Sequence, residues 1–209
     1  MLKLAAILLS IVLLGACSPA KQLILKQAEA TPTPRQTKID EEEYELFSAL
    51  LNQDSSKSTR LHIILNKSEH DFPGRCKLDV TSFSQKILAK YPTLMEALNN
   101  FDERKDDSIT FENRFNLKKE YKLISNDYLN SFYENKNGGD GWEAFRKAHP
   151  SCASPIVFSR VGFDKLKNIA IVYSRSRTNT GDGDFGGYLL LSKLSGNWKL
   201  IDGFCQWDS

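Results

Sequence analysis

The runs PIVFSRVGF (155–163), NIAIVYSRSR (168–177), GYLLLSKL (187–194) and NWKLIDGFCQW (197–207) decide the fold of this chain. Each is rich in β-branched and aromatic residues, and turn chemistry separates each from the next, with Ser195-Gly196-Asn197 as a tight hairpin. Strands joined by connections this short are antiparallel neighbours, so a four-stranded up-and-down meander is expected.

Upstream of the meander the periodicity is helical. Asp40, followed three residues later by Glu43, reads as an N-cap with acidic residues in the positive first turn, and Tyr44, Phe47, Leu50 and Leu51 form the apolar stripe of a first helix. Leu61, Ile63 and Leu65 alternate with polar or opposite-facing positions, which predicts a strand over 60–66. Phe83, Ile87 and Tyr91 mark a second helix; Pro92 interrupts it, and Thr93 with Glu96 has capping-box spacing for a third through Phe101. Two strands over 108–115 and 120–124, a helix capped by Ser125 and another carrying Trp142 and Phe145 complete the pattern. The expected class is α+β: short helices packed on one face of a twisted antiparallel sheet, with the four-stranded meander at the C-terminus.

The N-terminus has a different logic. Lys3 precedes an apolar run, Leu4 to Leu14, which ends in Leu14-Gly15-Ala16-Cys17-Ser18. Crossing a bilayer takes about 20 apolar residues, and this run is too short. The layout is that of a secretory signal, and the Leu-Gly-Ala-Cys run resembles the lipobox of bacterial lipoproteins. The resemblance implies removal of residues 1–16, lipidation of Cys17 and a membrane held through that lipid. With Ser18 after the cysteine, it implies the periplasmic face of the outer membrane in a Gram-negative host. Residues 17–39 carry Pro19, Pro32 and Pro34 and read as a tether, leaving 40–209 as a single soluble domain.

The chain has 28 basic and 26 acidic residues. No dense basic block is present, so nucleic acid is not an expected partner. The histidines His62, His70 and His149 show no zinc-binding spacing, and no nucleophile elbow or phosphate-cradling loop occurs. Thr178 to Asp184 is rich in Asp, Asn and Gly, but an EF-hand starting at Asp182 would need Glu where Lys193 stands. No catalytic residue, metal or cofactor is expected.

Arg160, Arg175 and Arg177 lie on the meander beside the loop holding Asp182 and Asp184, and guanidinium forks suit carboxylate partners, so this is the expected recognition surface. Its alternative is internal pairing of these arginines, for instance with Asp164. Cys76, Cys152 and Cys205 remain once Cys17 is lipidated. Cys152 and Cys205 fall at the same end of a meander and form one expected disulfide, provided the sheet curls to bridge two intervening strands; Cys76 competes for either.

The segments Phe158 to Phe163, Ala170 to Tyr173, Gly187 to Leu191 and Gly196-Asn197-Trp198 resemble a group of uncharacterised bacterial secreted proteins and lipoproteins. The likeness covers 115–209 and the helix at Glu43 to Leu51, and it implies domain boundaries without any chemistry. Together these features lead us to expect an envelope lipoprotein that acts as a non-enzymatic binding or assembly module with an envelope protein partner. The alternative is an envelope hydrolase with a dispersed active site.

Overall fold

A computed structural model of the chain describes residues 37–53, 61–68, 78–134, 141–176, 185–193 and 196–208. The elements in order are α1 (Glu41–Gln53), β1 (Leu61–Leu65), a 3-10 turn (Val80–Ser82), α2 (Gln85–Lys90), α3 (Leu94–Arg104), β2 (Tyr121–Ile124), α4 (Asn126–Glu134), α5 (Gly141–Ala148), β3 (Cys152–Phe163), β4 (Ile169–Ser176), β5 (Phe185–Ser192) and β6 (Lys199–Asp208). The strands form one six-stranded sheet in the order β2-β1-β3-β4-β5-β6.

The α+β class and the C-terminal meander stand as read: β3, β4, β5 and β6 pair antiparallel in sequence order. Two finer expectations do not. The sheet is mixed, because β1 pairs parallel with both β2 and β3. Helices also cover both faces. Along β4, Ala170 and Val172 enter the core under α1, while Ile169, Ile171 and Tyr173 enter the core under α2 and α3. In β1, Ile64 faces α1, whereas Ile63 and Leu65 pack with Leu129, Trp142 and Phe145 of α4 and α5. An inner strand of a mixed sheet is apolar on both sides, and that is how the LHIIL sequence of β1 reads once its two neighbours are known.

The expected strand over 108–115 does not form; this segment meets the chain just past β1 through an isolated bridge between Lys67 and Thr110, with Phe111 N donating to Asn66 O (2.7 Å) and Ser68 N donating to Ile109 O (3.1 Å). Instead it runs along α1, and side chains of the helix satisfy its backbone. Tyr44 Oη accepts from Glu112 N (2.8 Å), Ser48 Oγ accepts from Asn116 N (2.9 Å), and Asn52 both accepts from Lys118 N (2.8 Å) and donates to Asn116 O (2.9 Å). Residues 44, 48 and 52 share one helical face. Ile109, Phe111 and Phe115 are then buried beneath α1 without any ladder.

Helix starts follow the sequence at two places and depart from it at a third. Asp40 and Glu43 form a reciprocal box, with Asp40 Oδ1 accepting from Glu43 N (3.0 Å) and Glu43 Oε2 accepting from Asp40 N (3.4 Å). Ser125 caps α4 through Tyr128 N (3.0 Å). Thr93 precedes α3 but makes no capping bond. Its hydroxyl donates to Asp164 Oδ2 (2.8 Å), and Glu96 Oε2 accepts from Lys165 N (3.2 Å), so both members of the anticipated box hold the β3–β4 hairpin instead.

β3 has 12 residues and β1 has five, so β3 extends past the end of its neighbour and leaves ladder groups open on that side. Side chains fill the gap. Val161 N donates to Glu43 Oε1 (3.1 Å), Val161 O accepts from Arg104 Nη1 (2.8 Å), and Phe163 N donates to Asn100 Oδ1 (3.0 Å). These bonds tie α1 on one face and α3 on the other to the same strand edge.

Candidate functional site

Of the expected arginine surface, Arg160 does not belong to the surface. Arg160 is 3% exposed and lies over α1, its Nη2 3.2 Å from Glu43 Oε2 and its Nη1 donating to Lys38 O (3.2 Å). The cause is a β-bulge: β3 spends three steps from Phe158 to Val161 where β4 spends two, and Ser159 Oγ fills the irregularity by accepting from Tyr173 N (2.9 Å). Arg160 is therefore internally paired, with Glu43 as its partner in place of Asp164. Arg175 is half-buried and lies in register with Val157, on the face opposite α1. Arg177, Asp182 and Asp184 lie outside the described residues, as do Cys17 and Cys76.

The Cys152–Cys205 disulfide is likewise corrected: Cys152 is a free thiol, while Cys205 is disulfide-bonded. Cys152 sits at the start of β3 beside Leu61 of β1, and β4 and β5 stand between it and β6. Three strand steps of roughly 4.8 Å are not closed by the twist of an open sheet. Alkylation of the denatured, unreduced protein is accordingly expected to tag Cys152 fully and leave Cys205 untagged until a reductant is added. A peptide linking the two would contradict this arrangement.

His149 is held by packing. Its Nε2 lies 2.9 Å from Tyr128 Oη, and the rings of Phe132 and Phe145 flank it. Burial, with Lys122 nearby, lowers its pKa.

Among the described residues, clefts open beside each end of α1. One, about 600 Å³, is lined by charged and amide side chains including Asp40, Glu96, Asn100, Arg104 and Lys167. Those groups are already engaged: Glu96 and Asn100 accept from the backbone of 163–165, Arg104 pairs with Glu43, and Lys167 pairs with Asp40 at 3.2 Å. It is the furrow between braces of the fold.

The other, about 530 Å³, lies between the C-terminal end of α1 and the sheet. Leu50 and Leu51 form its roof, with Ile156, Phe158 and Leu189 as its apolar floor. Phe185 and Leu200 also line it and stay 56% and 45% exposed, unusually open for such large apolar side chains. Gln53 closes the side at β6 in the manner of a strand residue, Nε2 donating to Trp198 O (3.1 Å) and Oε1 accepting from Leu200 N (3.0 Å).

The cleft exists because the sheet carries small residues where α1 passes over it. On the α1 face, β4 runs Ala170, Val172, Ser174, Ser176, changing from core to hydroxyls. Ser176 is in register with Ile156 and Ser174 with Phe158, and Ser154 continues the same wall along β3. None of these three hydroxyls has a hydrogen-bond partner among the described residues. His62, 3% exposed, lies at the inner end. The sequence signal was present in the serine pair Ser174 and Ser176 at period two inside an apolar strand, but a cavity becomes visible only when the helix above it is known.

Neither cleft is a metal centre: among the described residues no group of three His, Cys, Asp or Glu is placed to hold an ion. A cleft of this volume, mostly apolar with a few convergent polar groups, has the usual form of a small-molecule site, for which roughly 300–1,000 Å³ is typical. No protein-family model, curated protein or solved structure matches the chain.

Proposed function

We propose that this chain is an envelope lipoprotein, anchored through Cys17, whose domain is a non-enzymatic binding module with the α1–meander cleft as its site. The observation that carries the reading is a cleft with an apolar floor and roof into which three hydroxyls project with no partner among the described residues. Hydroxyls left open toward a cleft can donate to or accept from a ligand that displaces water there. The lipid anchor rests on the Leu14-Gly15-Ala16-Cys17 sequence. Two acyl chains give stable attachment without any basic surface helix.

A hydrolase is the second reading, favoured by His62 lining the same cleft as Ser154, Ser174 and Ser176. Against it, no carboxylate among the described residues lines that cleft to orient the imidazole. A fluorophosphonate probe separates the two: labelling of one serine that disappears in His62→Ala would establish the enzyme, and the binding module predicts none.

For the anchor, Cys17→Ser is expected to remove incorporation of radiolabelled palmitate and to accumulate uncleaved precursor in the membrane fraction. Normal processing with acyl label retained would overturn lipidation at this residue. In a host with two membranes, the wild-type protein is expected to sediment with the outer one.

A further inference from the structure

We propose that the cleft between α1 and the meander selects an uncharged amphiphile: an apolar chain or ring lying on Ile156, Phe158 and Leu189, with a hydroxyl, ether or carbonyl head at Ser154, Ser174 and Ser176. This deepens the binding reading above and rests on it. Three observations converge. First, no Asp, Glu, Lys or Arg among the described residues lines the cleft, so an ionised ligand would surrender its hydration there without a countercharge from them. Second, a hydroxyl both donates and accepts, and two serines spaced about 6.6 Å apart along one strand face match a small neutral head with more than one oxygen. Gln53 does not compete for that head, because its amide is already committed to Trp198 and Leu200. Third, the apolar rim of Phe185 and Leu200 gives a chain a dry path inward from the mouth. A second protein would have to insert a side chain between α1 and β4 to use these hydroxyls, whereas a narrow amphiphile reaches them without displacing the helix.

The test uses the full-length protein in nanodiscs and two photoreactive probes with the same diazirine-bearing decyl chain, one ending in a hydroxyl and the other in a trimethylammonium group. After irradiation and digestion, label is read on the peptides carrying Leu50, Ser174 to Ser176 and Leu189, relative to label on α4. The neutral probe is expected to label these peptides at least tenfold more than the charged one. Ser176→Leu, which fills the cleft, is expected to lower that label at least fivefold with an unchanged melting temperature. Ser174→Leu gives the same reading if the first variant folds poorly. Equal cleft labelling by both probes would overturn the selection of uncharged ligands and leave the binding module standing. Absence of cleft labelling by either probe would overturn both.

Discussion

Gly162→Ala is expected to unfold the domain or reduce it to an insoluble product. A Cβ at this position would lie 2.4 Å from Ala97 O, Phe101 N and Phe101 Cβ, all in α3, and two of these are backbone atoms that no rotamer change can move. Either α3 lifts from β3 or the strand bends. Lifting α3 opens the core in which Ala97, Leu98 and Phe101 meet Ile171 and Tyr188, and bending pulls Val161 and Phe163 away from Glu43 and Asn100. Overpacking typically costs about 1–3 kcal/mol, and a clash against helix backbone lies at or above the top of that range, a large share of the ~5–15 kcal/mol that holds an ordinary domain together. Soluble yield and urea unfolding read the effect. Gly196→Ala is the control: its φ is +84° with nothing within 4 Å of a Cβ, so only the backbone penalty of about 1–2 kcal/mol applies. Similar losses at the two sites would refute the close approach of α3.

The second large effect is at Glu43. Its carboxylate is fully buried, faces the guanidinium groups of Arg104 and Arg160 at 3.3 and 3.2 Å, and accepts from Val161 N. Glu43→Ala leaves two guanidinium groups and a strand N–H without their acceptor. Above pH 7, where this carboxyl is ionised, breaking the buried ion pair from one side costs about 3–5 kcal/mol. The charged groups about this centre are Arg104, Arg160 and Asp40, the last tied to Lys167 on its outer side.

Burial pushes the Glu43 carboxyl up from 4.5 to about 7, with Arg104 and the Val161 amide opposing the rise. Between these values the folded protein keeps a proton that the unfolded chain has released. The stability associated with that proton is therefore fully present below pH 4.5 and lost as pH rises through 7, amounting to about 3 kcal/mol. Urea midpoints at pH 5 and pH 8 are expected to fall with pH in the wild type more steeply than in Glu43→Gln. Parallel pH profiles for the two proteins would show that Glu43 is ionised in the fold throughout.

The legible and illegible parts of this protein divide by the range of the interactions involved. The meander was readable because each hairpin is local and each strand announces itself by composition. The capping role of Asp40 was readable for the same reason. What could not be read depends on partners far along the chain: the parallel placement of β1 between β2 and β3, the conversion of 108–115 into a segment that bonds to α1, and the diversion of Thr93 to Asp164. Arg160 is the clearest case at the site. In sequence it is one of three arginines on a sheet, and only a bulge at Ser159 together with a carboxylate 117 residues earlier makes it a buried brace. The serines of the cleft do not by themselves mark a site in the sequence, because a hydroxyl in a strand is ordinary until something large passes above it.

The bonding of α1 also constrains the order of events when the chain is made. Tyr44, Ser48 and Asn52 find their acceptors and donors more than 60 residues downstream, and Glu42 accepts from Trp198 Nε1 156 residues away. Although it precedes the other described elements, α1 is thus among the last to be locked, and contacts of such long range slow folding. A chain threaded N-terminus first through a narrow channel stays loose until its final strand has passed. On the proposed export route, this delay works in the protein's favour: the domain remains extended enough to be carried across the membrane, and closes over its own first helix only on the far side.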